Sequence, residues 1–415
     1  KSGTRWFDSP RQTAVLVYEV LGLRVQRNRK TGAVSADDEA CNTLKELYPR
    51  LVALFEGLLE YRSIGVLYST FVEAKLEADG RLHSAFNPAG TVTFRFSSSK
   101  NPFRRGCVLP TTEVLTPDGW VPIADRPPVI AQWNAITKEV SFTEADLFET
   151  TTQTMLQVRS EQIQLTVTPE HRVPYTTYKS AVVRDMRAVE AAQAGYLCLP
   201  LGGWNDGVGV LFDVRQAACL IADGNQPLNR PAYWRLEFKK QRKIDRMYDL
   251  FGEDAISEVK CHTPECRRFS LHSNVPRDFG TWMMQMTVAQ KRAFLDEAQY
   301  WDGHTRDKSY SFFSSRLYRA EWLQIVAHLG GRGATITYHR NNPEGLAYGP
   351  IGGDLYWVNV KPRQTVRVSR RHWREIPYTG SVFCYTVPSS YFLVREAGFV
   401  SVTGNSNMQN VPDGD

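Results

Sequence analysis

The chain has 415 residues, more than one hydrophobic core usually supports, which predicts two to four domains. Hydrophobic residues make up 42% and charged residues 23%, which excludes a largely disordered chain, and no apolar run reaches the roughly 20 residues that span a bilayer. The net charge of +6 suits a polyanionic partner, and seven thinly spread cysteines exclude a secreted disulfide framework, so reduced thiols in a cytoplasmic protein are expected.

The predicted elements change character along the chain. Leucines recur at helical spacing between residues 44 and 59, and residues 74–86 predict a hairpin that turns at Asp79-Gly80. From residue 107 to about 201 the sequence consists of short β-type runs, such as residues 112–115, 155–158 and 163–167. Helical patterns return from 212 to about 337, and β-runs resume from 356 to 403. The order indicates a β-domain that is split by a helix-rich insertion.

A second discontinuity lies at the two ends of the chain. Residues 90–99 read GTVTFRFSSS, and residues 406–412 read SNMQNVP. Joined together, the two stretches resemble one continuous segment of family A DNA polymerases. The resemblance implies binding of primer-template DNA, with Arg95, Ser97 and Ser98 on backbone phosphates. The metal-binding carboxylate motifs of that family are missing from this sequence, so the fragment is not expected to copy DNA alone.

The residues at the two edges of the interruption carry chemistry. Cutting and rejoining a peptide chain requires nucleophiles that exchange an amide for an ester and back. The Cys107 thiol can attack the carbonyl of the small residue Gly106, and the Ser406 hydroxyl can accept the acyl group. Asn405 can then cyclise through its side-chain amide and release the 299-residue segment 107–405.

The interrupting segment resembles the intein family over nearly its whole length. The resemblance rests on residues 107–114 (CVLPTTEV), 168–171 (TPEH), 382–388 (VFCYTVP) and 402–405 (VTGN). The resemblance implies that Thr168 and His171 lie beside the first scissile bond. There His171 can twist or protonate the amide, and Thr168 can donate a hydrogen bond to the Gly106 carbonyl oxygen as charge develops. It also implies that Cys384 assists acyl transfer, although a small buried apolar residue is an equal interpretation.

Two positions depart from the intein pattern. Gly404 and Ser390 stand where many inteins carry histidines that promote asparagine cyclisation. The last cleavage is therefore the step that the sequence supports least, although His372 or a bound water is a candidate replacement.

Within the insertion, residues 217–224 (AACLIADG) and 294–303 (FLDEAQYWDG) resemble the paired motifs of LAGLIDADG homing endonucleases. In that family two helices pack closely, and an acidic residue at the end of each reaches a shared metal site. The resemblance implies Mg²⁺ at Asp223 and Asp302. Basic side chains, namely Lys239, Lys240, Arg242, Lys243, Arg267 and Arg268, are candidates for a DNA-binding sheet, although a solvated surface is the default interpretation of such runs. Glu297 stands where a small interface residue is usual, which makes the second helix degenerate.

The combined prediction is a multidomain chain in which a mainly-β Hint (Hedgehog/intein) horseshoe is split by an α/β LAGLIDADG domain and flanked by α-rich polymerase fragments. The predicted domains are the N-terminal polymerase fragment 1–106, the first splicing part 107–201, the endonuclease 202–344, the second splicing part 345–405 and the C-terminal polymerase fragment 406–415.

The expected function is autocatalytic protein splicing, which needs no cofactor, combined with Mg²⁺-dependent cleavage of double-stranded DNA at a homing site. One alternative is a Hint domain that cleaves without efficient ligation and carries an inactive endonuclease. A further alternative, a simple DNA-binding polymerase fragment, leaves the 299 extra residues unexplained. Splicing is expected to be intramolecular, in a monomer without a membrane partner.

Overall fold

The computed structural model describes residues 10–28, 32–68, 84–87, 97–100, 106–259, 266–306, 309–339 and 354–404. The chain divides into two compact units, Lys1–Phe103 and Arg104–Asp415. Arg95, Asn405 and Ser406 lie outside the described residues, as do the side chains of Ser97 and Ser98. In the part of the chain that the structure describes, no helix has the length and apolar character needed to cross a membrane.

The first unit is mainly helical where it is described. Its elements are α1 (Pro10–Ala14), a π-helical turn (Val15–Val20), α2 (Asp38–Leu47), a 3-10 turn (Pro49–Leu51), α3 (Val52–Leu67), β1 (Ser84–Asn87) and β2 (Ser97–Lys100). Helix α2 begins where the Asp37 side chain accepts a hydrogen bond from Ala40 N–H, and it ends before Pro49. Cys41, Leu44, Phe55 and Leu58 form the centre of a small core between α2 and α3.

The hairpin predicted for residues 74–86 lies mostly outside the described residues. Its described end belongs to β1, which pairs antiparallel with β2, so that Ala85 lies opposite Ser99. The partner of this strand is therefore a later segment of the chain.

The second unit begins with nine strands and one short helix. They are β3 (Glu113–Thr116), β4 (Gly119–Pro122), β5 (Val129–Trp133), β6 (Val140–Glu144), β7 (Asp146–Arg159), β8 (Gln164–Val167), β9 (Arg172–Thr177), β10 (Ser180–Arg187), α4 (Ala188–Ala191) and β11 (Tyr196–Pro200). The predicted β-character of this region agrees with these strands.

The insertion follows β11. Its first half contains α5 (Val214–Asp223), β12 (Gly224–Asn225), β13 (Tyr233–Phe238), α6 (Gln241–Phe251), β14 (Ser257–Val259) and β15 (Arg267–His272). After the short helix α7 (Trp282–Gln285), its second half contains α8 (Val288–Asp302), β16 (Gly303–Arg306), β17 (Ser309–Ser314), α9 (Leu317–Leu329), β18 (Gly333–His339) and β19 (Leu355–Lys361).

The two halves of the insertion repeat one topology. Each runs helix, two strands, helix, two strands. The sheet orders are β12-β13-β15-β14 and β16-β17-β19-β18, so equivalent strands occupy equivalent places. Helices α5 and α8, which begin the halves, pack against each other. The paired sequence motifs at the ends of these two helices therefore belong to a duplicated structural unit.

The chain ends its described part with β20 (Thr365–Ser369), β21 (Trp373–Thr386), β22 (Tyr391–Glu396) and β23 (Phe399–Gly404). β20 joins β11, and β21 pairs with β7 over almost the full length of both strands. β22 and β23 form a hairpin that turns at Ala397 and Gly398, both with positive φ. The β-region before the insertion and the β-region after it therefore form shared sheets.

The predicted boundary at residue 344 falls inside the second sheet of the insertion. β19 begins at Leu355, yet it pairs with β17 and β18 over its whole length. Strand pairing therefore favours a boundary between β19 and β20. The sequence did not separate them because both sides of that boundary consist of β-strands.

Candidate functional site

Cys107 lies in a short extended segment between two longer strands. Its neighbour Val108 pairs with Val167 on one side and with Phe383 on the other. Val108 and Phe383 exchange both backbone hydrogen bonds, of 2.8 and 3.0 Å. In an antiparallel register this places Cys107 opposite Cys384, with Cβ atoms roughly 5 Å apart. Both cysteines are buried.

Thr168 holds both polar groups of the Cys107 backbone. Its hydroxyl accepts a hydrogen bond from Cys107 N–H at 2.9 Å, and its own N–H donates to the Cys107 carbonyl at 2.9 Å. The nitrogen of the Gly106–Cys107 peptide bond is thus oriented by the Thr168 hydroxyl. The sequence predicted a hydrogen bond from Thr168 to the Gly106 carbonyl, whereas the structure places the hydroxyl on the nitrogen side of that bond.

A tight turn brings His171 against Gly106. The Thr168 carbonyl accepts from His171 N–H at 3.0 Å, and Pro169 occupies the second position, which suits its fixed φ. A Cβ on Gly106 would lie 2.1 Å from His171 Cα. Only glycine fits before Cys107 in this arrangement, because the His171 backbone fills the space of a side chain.

The ring of His171 connects the first junction with the last described strand. Its Nε2 atom is hydrogen-bonded to the Thr403 hydroxyl, and both residues are fully buried. Thr403 lies in β23, two residues before Asn405. One histidine therefore touches the residue before the first junction and a residue next to the second.

The buried surroundings keep His171 neutral near pH 7. Removal from water lowers its pKa to about 4, and the Arg172 charge acts in the same direction, whereas hydrogen bonding to the Gly106 backbone raises the pKa. A neutral imidazole can hydrogen-bond and orient the scissile peptide without adding a charge.

The structure gives a physical reason for one departure from the intein pattern. A Cβ on Gly404 would lie 2.6 Å from Arg172 Cβ and 2.8 Å from the Arg172 carbonyl oxygen. A histidine at position 404 would therefore require the backbone to move. Ser390 adopts a positive φ of 66° in the turn before β22, and its N–H donates to the Val387 carbonyl.

The described contacts of His372, the side chain that the sequence suggested as a replacement, are local. His372 lies in a 3-10 turn and accepts a hydrogen bond through Nδ1 from Ser369 N–H at 3.0 Å, so this nitrogen serves a local turn. Cys384 lies opposite Cys107, and its thiol donates to the Tyr385 carbonyl at 3.4 Å. The position of Cys384 is compatible both with a role in acyl transfer and with that of a small buried apolar residue.

The second candidate site lies where α5 and α8 end. Asp223 and Asp302 are the last residues of these two helices, and each is followed by a glycine that begins a strand. Ala218, Ala222 and Ala298 line a cavity of about 340 Å³ together with Asp302, which is exposed within it. Small residues thus lie where the two helices approach, as the motif predicts.

The carboxylates of Asp223 and Asp302 interact electrostatically. Partial removal from water and the charge of Asp223 raise the pKa of Asp302 to about 6, while Lys243 and Arg319 lower it. Among the described residues no cluster of three His, Cys, Asp or Glu side chains exists. A divalent ion here would need water or phosphate oxygens to complete its ligand shell.

Lys243 has a different role from the predicted one. The sequence grouped it with surface cations, but its ammonium forms an ion pair with Asp223. Lys239 and Lys240 are exposed in the turn between β13 and α6, with Lys240 directly before the helix.

Glu297 is accommodated in the helix interface. Its buried carboxylate accepts hydrogen bonds from both Nε and Nη2 of Arg246 in α6, and from the Trp301 indole at 3.0 Å. The unusual acidic residue is therefore paired, and it links the first half of the insertion with the second.

Several site residues were not selected from the sequence. Thr403, Arg246 and Arg319 have ordinary residue types, and their roles depend on contacts between distant segments. A weak signal existed for Thr403 alone, because it lies within the final intein-like stretch.

Comparison with known proteins separates the chain into two regions. Residues 3–104 match the model of DNA polymerase family A. DNA polymerase I of Bacillus subtilis is 34% identical over 96 residues, which cover 22% of this chain and 10% of the polymerase. The family match ends at residue 104, just before Gly106.

A longer sequence alignment relates the chain to a different protein. The ribonucleoside-diphosphate reductase subunit beta of Aquifex aeolicus is 23% identical over 358 residues, which cover 73% of this chain. The chain spans 50% of that subunit and about a tenth of the polymerase.

Two solved structures are similar in part. A splice-inactive variant of the AceL NrdHF class 3 split intein is 11% identical and covers 72% of this chain and 99% of its own, with a TM-score of 0.29. The homing endonuclease I-DmoI in complex with DNA and Mn is 12% identical and covers 36% of this chain and 88% of its own, with a TM-score of 0.23.

Proposed function

We propose that residues 107–405 excise themselves and join Gly106 to Ser406. The observation that carries this proposal is the position of His171, packed against Gly106 and hydrogen-bonded to Thr403. Through this histidine the segments next to both junctions meet in one place, as a reaction between the two junctions needs. Thr168 supports the same conclusion, since its hydroxyl holds the N–H of the first scissile bond.

The first step is an acyl shift from nitrogen to sulfur. The Cys107 sulfur attacks the Gly106 carbonyl carbon, the C–N bond breaks, and the thiol proton ends on the Cys107 nitrogen. Thr168 orients that nitrogen, and neutral His171 fixes the Gly106 peptide beside the thiol. Close packing removes the rotational freedom that would otherwise slow the attack.

The later steps use the second junction. The Ser406 oxygen attacks the thioester carbonyl carbon, the C–S bond breaks, and the hydroxyl proton passes to the released Cys107 sulfur, which Cys384 faces across the strand pair. Cyclisation of Asn405 forms a succinimide and frees the Ser406 nitrogen. The acyl group then moves from the Ser406 oxygen to that nitrogen and leaves an ordinary peptide bond.

The relatives support an insertion that is independent of its host. The polymerase match is confined to residues 3–104, so most of the reductase match, at 73% of the chain, must lie beyond it. The chain therefore combines a region similar to polymerases with a longer region similar to a reductase subunit, which supports a segment inserted into a polymerase host. We infer that the residues outside 107–405 belong to a family A polymerase host.

The split halves of the splicing domain form shared sheets, which supports a Hint-like horseshoe. β7 and β21 pair although more than 200 residues of sequence separate them. The intervening residues build a duplicated unit whose second sheet joins the β-region where β18 pairs with β23, and the pairing of β7 with β21 is retained.

For that duplicated unit we propose cleavage of double-stranded DNA. Asp223 and Asp302 end equivalent helices, and removal from water together with the charge of Asp223 raises the pKa of Asp302. These residues fit Mg²⁺, which would supply charge neutralisation and an acidic bound water. The exposed basic residues Arg235, Lys239 and Lys240 on one half are suited to backbone phosphates.

The test of splicing chemistry uses Asn405→Ala, which blocks the last step. Treatment with a thiol or hydroxylamine should then release residues 1–106, because both reagents cleave a thioester. Adding Cys107→Ser to Asn405→Ala should make the protein more resistant to both reagents than Asn405→Ala alone. Adding Cys107→Ala instead should abolish the cleavage. Absence of cleavage in the Asn405→Ala protein would contradict thioester formation.

The test of nuclease activity uses a duplex that encodes residues 96–106 joined to 406–415, the host sequence without the insertion. Cleavage should require Mg²⁺ and disappear in Asp223→Asn and Asp302→Asn, while splicing is retained in both variants. An uncut duplex with intact splicing would contradict the nuclease proposal alone, whereas an uncut duplex without a joined product would favour a second candidate function.

That second candidate is a Hint domain that cleaves without efficient ligation and carries an inactive endonuclease. It is supported by Gly404 and Ser390, which remove two histidines from the second junction. It predicts free residues 1–106 without a joined product.

A further inference from the structure

The surroundings of Gly404 contain a charged cluster that the splicing steps above do not use. The Gly404 backbone lies against the backbone and Cβ of Arg172, and in the β22–β23 hairpin Gly404 pairs directly with Tyr391. Arg172 follows His171 in sequence and begins β9. Asn405 is the next residue of the chain after Gly404, so the Arg172 backbone lies beside the residue that precedes Asn405.

The cluster is held together by one carboxylate. Asp185 in β10 forms an ion pair with the Arg172 guanidinium and accepts a hydrogen bond from the Tyr391 hydroxyl at 2.6 Å. The guanidinium also lies over the Tyr391 ring, 5.6 Å from its centre. The Arg172 side chain is 12% exposed, so its charge is only partly screened by water.

We propose that Arg172, positioned by Asp185 and Tyr391, promotes Asn405 cyclisation in place of the two histidines that Gly404 and Ser390 replace. The inference rests on the proposed splicing function and assigns a residue to its last cleavage. It explains why position 404 is glycine, since the Arg172 backbone occupies the space of a side chain there.

The chemistry needs a cation at this place. During cyclisation the Asn405 side-chain nitrogen attacks the Asn405 main-chain carbonyl carbon, and negative charge develops on the carbonyl oxygen. The side-chain nitrogen then loses a proton, the Ser406 nitrogen gains one, and the bond between the Asn405 main-chain carbonyl carbon and the Ser406 nitrogen breaks. A fixed guanidinium stabilises the developing oxyanion without losing its own proton near neutral pH.

The alternative is that Arg172 serves only to join β9, β10 and β22. In that case the first step, which depends on the adjacent His171, would suffer as much as the last. A guanidinium that acts at the second junction should instead affect the two steps unequally, and small guanidinium ions should replace it in part.

The experiment measures the two junctions separately in the full chain. Cys107→Ala isolates Asn405 cyclisation, which is followed as loss of residues 406–415 by intact mass. Asn405→Ala isolates thioester formation, which is followed as thiol-induced release of residues 1–106. Arg172→Ala, Arg172→Lys and Asp185→Asn are placed in each background. Arg184→Ala, an exposed arginine next to Asp185, is the matched control.

We expect Arg172→Ala to slow release of residues 406–415 by about 100-fold, the usual effect of losing one oxyanion donor. Arg172→Lys should retain part of the rate, millimolar guanidinium should restore part of the Arg172→Ala rate, and thiol-induced release should change by less than about threefold. Arg184→Ala should leave both rates unchanged.

Two outcomes overturn the inference. Unchanged release of residues 406–415 in Arg172→Ala, or equal losses at both junctions without guanidinium rescue, would leave Arg172 a structural residue. Both outcomes are distinct from failure of the splicing proposal, in which the parent Asn405→Ala protein itself gives no thiol-induced cleavage.

Discussion

The imidazole of His171 is hydrogen-bonded through Nε2 to the hydroxyl of Thr403, which ties the turn beside Gly106 to the strand that ends one residue before Asn405. The contact is formed between residues that are 232 positions apart. It requires the two β-regions to be assembled first, so splicing should depend on completed folding of residues 107–404.

Replacement of Thr403 tests this connection. Thr403→Val keeps the shape but removes the hydroxyl, which leaves a buried imidazole nitrogen without its partner at a cost of about 1–3 kcal/mol. Thiol-induced cleavage at Gly106 should slow in an Asn405→Ala background. Thr403→Ser, which retains the hydroxyl, is the control and should keep most of the rate; equal rates in Val and Ser variants would exclude the contact from catalysis.

Replacement of Thr168 tests the orientation of the first scissile bond. Thr168→Val removes the acceptor of the Cys107 N–H while its backbone bond to the Cys107 carbonyl remains. Thioester formation should fall by about tenfold or more, corresponding to about 1.4 kcal/mol in the barrier. The comparison with Thr168→Ser separates the hydroxyl from the methyl group, and a Val variant as fast as wild type would contradict the assigned role.

Stability should fall as the pH drops from about 6.5 to about 4. Burial lowers the pKa values of His171 and His328 to about 4 in the folded protein. The unfolded chain therefore takes up protons in this window while the folded chain does not, and each histidine can cost about 3 kcal/mol. Urea unfolding of His328→Gln should depend less on pH than wild type. His304→Gln, on an exposed strand, is the control, and equal slopes for His328→Gln and wild type would contradict the prediction.

Loss of Glu297 should destabilise the duplicated unit. Glu297→Ala removes the shared partner of Arg246 and Trp301 and creates a cavity, with an expected loss of about 2–4 kcal/mol in unfolding free energy. Glu237→Ala disrupts only an exposed pair with Arg268 and should cost less than about 1 kcal/mol. Similar denaturation midpoints for the two variants would show that Glu297 contributes no more than a surface charge.

Local patterns were enough to predict several features of the fold. The alternating and short β-runs around residues 155–167 agree with β7 and β8, and the two Asp-Gly motifs lie at the ends of α5 and α8. Each of these features is determined by residues that are close in sequence, so a single sequence is sufficient to predict it. The likeness of the N-terminal region to family A polymerases is confirmed by the match over residues 3–104.

Long-range partners could not be predicted in the same way. Nothing in the sequence near Asp223 distinguishes Lys243, its ion-pair partner, from the surface cations around it. The hydroxyl of Thr168 was assigned to the wrong side of the scissile peptide, because sequence gives residue identity but not the direction of a side chain. The Arg172–Asp185–Tyr391 cluster depends on three strands meeting, and only the folded chain shows it.

The most direct test of self-excision with ligation is the intact mass of the purified full chain under reducing conditions. Splicing predicts a joined product of 116 residues and a free segment of 299 residues, and both should be absent in Cys107→Ala and Asn405→Ala. An unreacted 415-residue chain, or free residues 1–106 without the 116-residue product, would contradict self-excision with ligation.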